Sequence, residues 1–114
     1  MSSSYRELVV WKKSFQLTKA VYALCNNLPK SEQFSLISQM QRCAVSIPSN
    51  IAEGQQRQSS KEFKQFIGIA RGSATELSTQ LLLTQSIFSI DVTNIITDLE
   101  QVQKMLYSLQ SKIN

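Results

Sequence analysis

Apolar residues recur at helical spacings along almost the whole chain. Val10, Leu17, Val21, Leu24 and Leu28 are separated by 7, 4, 3 and 4 positions, which predicts a first helix from Val9 to Asn27. Trp11, Phe15, Tyr22 and Cys25 form a second stripe beside it. Together they cover about half the circumference, wider than the roughly 100° of a simple surface helix, so this helix should have two neighbours. Lys12, Gln16 and Lys19 form its wet face. "NNLPKS" breaks the pattern, and Ser31 is a suitable N-cap for the next helix. That second helix carries Ile37, Met40, Ala44, Ile47 and Ile51 at spacings of 3 and 4. The register runs straight through Pro48, which predicts one kinked helix rather than two.

After "QRQSSKEF", Ser59 and Glu62 match a capping box. Phe63, Ile67, Ala70, Ala74, Leu77, Leu81, Thr84 and Phe88 then alternate spacings of 4 and 3 along a third helix. Gly68 and Gly72 lie near its middle, where glycine costs about 1 kcal/mol relative to alanine. Either another helix approaches closely there or the pair is merely tolerated. Asp91 reads as the N-cap of a fourth helix, with Ile90 and Ile95 as a hydrophobic staple. Val92, Ile95, Leu99, Val102, Leu106, Leu109 and Ile113 form its stripe. The expectation is an all-α, antiparallel up-down four-helix bundle with a proline-kinked second helix, one domain over 1–114.

Composition agrees with that expectation and narrows the chemistry. Three glycines and two prolines are too few for the turns of an all-β fold. No histidine is present, so the commonest general base is missing, and two cysteines without a CxxC spacing leave a zinc site short of ligands. Cys25 and Cys43 fall at apolar helical positions and read as small hydrophobes. Neither an enzyme nor a metal or cofactor site is expected. The start of the chain has no signal-peptide apolar core and no run long enough to span a membrane, so a cytoplasmic protein is expected.

The net charge is +4. Residues 1–57 hold seven Lys or Arg against three acids, whereas residues 58–114 hold five of each. Lys61, Lys64 and Arg71 share a face of the third helix, with Arg57 joining them if the helix extends back. Lys12, Lys13 and Lys19 form a second patch on the first helix. Such groups can neutralise phosphates, though an ordinary solvated face looks the same in sequence. Phe63 and Phe66 sit at core spacing, so base stacking is not read from them. Glu53 precedes Arg57 by four, and Glu100 precedes Lys104 likewise, both favourable helix pairs.

The stretch "AVSIPSNIAEGQQRQSSKEFKQFIGIARGSATELSTQL" resembles the signature of the bacterial four-helix proteins encoded in intervening sequences of 23S rRNA genes, also called S23 ribosomal proteins. "VVWKKSFQL" resembles the family's opening, and the likeness runs from about Tyr5 to Leu109. The resemblance implies a ring-like homopentamer and a role with RNA or DNA. A related group implies an alternative partner, the reverse transcriptase of a diversity-generating retroelement. Five copies of a +4 chain would carry +20. The family often reads G-x-G-R where this chain has Gly54, Gln55, Gln56 and Arg57, so the arginine is kept and the second glycine is not. Within the signature, Pro48 is expected to bend the second helix. Asn50 and Glu53 would satisfy the freed backbone, pair with the third helix, or form a surface site, and Gly54 would permit a left-handed helix end.

Overall fold

Helix α3, Ser60–Phe88, is 29 residues long, which at 1.5 Å per residue is about 44 Å. The longest dimension of the molecule is 46 Å, so this one helix runs its full length. In the computed structural model, which describes residues 4–113, the remaining helices are α1 (Val9–Cys25), α2 (Leu36–Gln55) and α4 (Thr93–Lys112). Short 3-10 turns at Tyr5–Glu7 and Lys30–Glu32 precede α1 and α2. All the described regular structure is helical, a four-helix bundle. None of the helices is long and apolar enough to cross a membrane.

Each helix has two neighbours. α1 packs on α2 and α4, and α3 packs on the same two, so α1 and α3 lie across the diagonal from each other. The first apolar stripe of α1 is buried between these neighbours, whereas Phe15 and Tyr22 of the second stay about half exposed, so two neighbours do not account for the whole arc. Along the α2–α3 seam, Ser46 meets Ser73, Cys43 meets Gln80 and Met40 meets Thr84. The numbers fall on one helix as they rise on the other, so the two run in opposite senses. The stripes read from sequence form the core: Leu17, Val21, Met40, Ile47, Ile51, Ile67, Leu77, Leu81, Leu99 and Leu106 are all buried.

Several element ends differ from the sequence reading. Ser31 lies inside a 3-10 turn, and α2 begins five residues later with Ser35 as its N-cap residue. The Ser35 hydroxyl turns back to Glu32 instead of capping the helix. Asp91 sits one residue before the N-cap position, yet its Oδ1 still accepts from Thr93 N and Oγ1 at 2.9 and 2.6 Å. At Ser59 the expected cap forms, its hydroxyl accepting from Glu62 N. α3 ends on Ser89, which takes the left-handed conformation at φ 56° without being glycine.

Candidate functional site

The SIPSNIAEG segment lies on α2, where it meets both neighbours. α2 is continuous through Pro48. Proline has no N–H, so the carbonyl of Ala44, four residues back, loses its helical donor. Thr18 of α1 supplies the replacement: its hydroxyl reaches the Ala44 carbonyl at 3.0 Å and its own Ser14 carbonyl at 2.8 Å. The donor thus comes from another helix, and not from Ser46, Ser49, Asn50 or Glu53. Asn50 instead donates to the Ser46 carbonyl and hydroxyl, and the Ser46 hydroxyl meets that of Ser73 at 2.7 Å. Asn50 therefore braces the α2–α3 seam from within.

Gly54 is also reassigned. No described glycine has a positive φ, and α2 continues one residue past it. A Cβ at this position would lie 2.7 Å from the Phe66 Cβ and 3.0 Å from the Phe63 Cδ1. The residue is glycine because α3 passes too close for a side chain. Glu53 points outward and forms an ion pair with Arg57 at 2.7 Å. This is the one salt bridge among the described residues; Glu100 and Lys104 do not close on each other.

The candidate cations divide by what holds them. Arg57 lies in the α2–α3 turn, tied to Glu53 and stacked 4.9 Å over the Phe66 ring, so it does not extend the α3 face. Arg71 donates to Gln110 Oε1 at 2.6 Å and lies 5.1 Å over the Tyr107 ring of α4. Lys61 and Lys64 are exposed. On α1, Lys12, Lys13 and Lys19 are exposed as well. Because α1 and α3 are diagonal, the two lysine groups occupy opposite sides of the bundle.

What unites the candidate cations, Lys19 excepted, is their height along the bundle axis. Leu8, Val9 and Val10 share a cleft with Met105, Leu109 and Lys112, and Trp11 shares another with Ala52. The start of α1, the end of α2, the start of α3 and the end of α4 therefore gather at one end. That half holds Arg6, Lys12, Lys13, Arg57, Lys61, Lys64, Arg71, Lys104 and Lys112 against Glu7, Glu53 and Glu62, nine cations and three acids, a formal +6. The other half holds Lys19, Lys30 and Arg42 against Glu32, Glu76, Asp91, Asp98 and Glu100, a formal −2. The imbalance between the two sequence halves gave no sign of this, because each helical hairpin visits both ends.

Two further surfaces were not read from sequence. Phe15 and Tyr22 of α1 are 45% and 44% exposed and line a groove against Val45, Pro48 and Ala52 of α2. On α3, Ile69, Leu83 and Ile87 share an outward face and are half exposed. The described residues hold no cluster of histidine, cysteine or acids able to bind a metal ion. Burial raises the thiol pKa of Cys25 and of Cys43, which keeps both in the unreactive protonated form.

The fold and the signature agree with what is found among known proteins. The crystal structure of a protein of unknown function from the S23 ribosomal protein family of Bacteroides thetaiotaomicron VPI-5482 superposes with a TM-score of 0.84 at 28% identity, over 91% of this chain and 96% of that one. No match is found among curated proteins. The sequence profile of the 23S rRNA-intervening sequence proteins matches residues 6–108. With nearly its whole length matched, this chain belongs to the 23S rRNA-intervening sequence protein family.

Proposed function

We propose that this protein is a non-enzymatic bundle that binds RNA or DNA through its basic end, and that it does so as a homo-oligomer in the cytoplasm. The observation that carries this reading is the axial sorting of charge, +6 at one end and −2 at the other. A one-sided charge distribution draws a polyanion to one place and orients it, which a scattered +4 does not. Copies arranged side by side would present a ring of such ends, and a strand touching several gains affinity by multivalency. The family resemblance makes five the working number.

The contacts are electrostatic and carry no base readout, so binding is expected to be indifferent to sequence. Fluorescence anisotropy titrations on an arbitrary RNA and an arbitrary DNA test the location. Lys61→Glu with Lys64→Glu at the basic end should weaken binding clearly, and Lys30→Glu at the opposite end should not. Equal effects at both ends would reject the basic end as the interface. Absence of binding by the wild type in about 50 mM salt would reject the nucleic-acid reading. It would favour an adaptor that meets a reverse transcriptase as a protein partner.

A further inference from the structure

The α1–α2 groove is a second feature with a chemistry of its own. One wall is a row of rings: Trp11 packs against Tyr5 edge-on at 5.3 Å and against Phe15, tilted, at 5.1 Å, with Tyr22 two turns further along α1. The other wall is Val45, Pro48 and Ala52 of α2, and the groove encloses ≈ 690 Å³. Among the described residues no helix covers it, and Phe15 and Tyr22 stay about half exposed. Its one charged lining residue is a cation, Lys19, and no carboxylate lines it. Lys12 lies on the same side of α1 as Lys19, about 10 Å away along the axis. Arg6 stands 5.9 Å over the Tyr5 ring.

We propose that this groove stacks unpaired bases of a single-stranded nucleic acid, with Lys12 and Lys19 taking the adjoining phosphates. Every base offers a π-face, so flat side chains beside a line of cations suit a strand of any sequence. Duplex bases are already stacked on one another and do not enter such a groove. This inference rests on the nucleic-acid reading above, but it makes a separate claim. The basic end attracts any polyanion, and the groove selects single strands. Proline is fitting in the opposite wall, because the Thr18 hydroxyl that serves the Ala44 carbonyl also ties the two walls together.

Trp11 is the sole tryptophan of the chain, so its fluorescence reports directly on the groove. A single-stranded oligouridine should quench it, and a duplex RNA of equal length should not. Phe15→Ala with Tyr22→Ala should weaken single-strand binding about tenfold or more while leaving duplex binding and oligomer mass unchanged. Phe15→Leu with Tyr22→Leu keeps the groove apolar and the fold intact, and it should show a comparable loss. Unchanged single-strand affinity in the leucine variant would overturn the proposal. So would a fall in oligomer mass in the alanine variant, which would make the groove a contact between copies. If Lys61→Glu with Lys64→Glu weakens duplex and single strand alike while the groove variants change neither, the basic end stands and the groove fails. If wild type binds neither duplex nor single strand, both readings fall together.

Discussion

An alanine at position 54 would place its Cβ 2.7 Å from the Cβ of Phe66, whereas one at position 72 would meet nothing within 4 Å. Both glycines are helical, and helix propensity alone favours alanine at either by about 1 kcal/mol. Packing decides between them. Gly54→Ala should destabilise the domain by about 1–3 kcal/mol, since α3 must shift to admit the methyl group. Gly72→Ala should stabilise it by about 0.5–1 kcal/mol. Urea unfolding of the two variants checks this; equal shifts of the same sign would show that close approach is not what keeps Gly54. The sequence marks Gly72 as unusual within a helix but does not say why, and it suggests a left-handed helix end at Gly54, where the residue is in fact helical. The reason at 54 is a neighbour 12 positions away, and only the crossing of α2 and α3 brings Phe66 there. Pro48 shows the same limit. That its partner carbonyl is left without a donor follows from sequence, but that Thr18 serves it depends on how α1 docks.

At the scale of elements, the heptad stripes were sufficient to locate four helices, and most stripe residues are buried in the core, while Phe15 and Tyr22 of the second α1 stripe stay about half exposed. The ends were harder to read. Ser31, Ser35 and Asp91 are all good capping types, and local turn geometry decides which one serves. The α1–α2 docking can be tested through its clasp. Thr18→Val removes the hydroxyl and leaves the Ala44 carbonyl without a donor, a cost of about 1–3 kcal/mol. In a Pro48→Ala background the restored N–H can serve that carbonyl, so Thr18→Val should cost less. A double-mutant cycle in urea measures the coupling, and strict additivity would deny it. The start of α4 gives a pH test. Hydrogen bonds from the Thr93 hydroxyl and then its backbone N–H hold the Asp91 carboxyl below its usual pKa. Stabilisation from a lowered carboxyl is present above the unfolded value near ~3.9 and is lost as pH falls through the folded value. The stability gap between wild type and Asp91→Ala should therefore narrow between about pH 5 and pH 2. A constant gap across that range would assign the effect to packing and not to the charged cap.

The whole molecule has two properties that no single helix has: a basic end, and apolar surface left outside the core. The candidate cations were all legible as residues, but not as a site. Their grouping by axial height follows from chain direction in each helix, which periodicity alone does not give. Ile69, Leu83 and Ile87 form an exposed apolar line on α3, and we expect it to be covered by a second copy. Ile87→Asp should then lower the mass measured by light scattering after size exclusion without unfolding the chain. A wild type that is monomeric at micromolar concentration would contradict this. The central claim, binding of a polyanion at the basic end, is most directly tested by the salt dependence of affinity. Wild type and the Lys61→Glu, Lys64→Glu variant would be titrated against one RNA between about 50 and 200 mM salt. The account predicts a steep fall in wild-type affinity, and a log–log slope in the variant that is shallower by about 1.5–2 units, corresponding to two lost phosphate contacts. Identical slopes for the two proteins would contradict it.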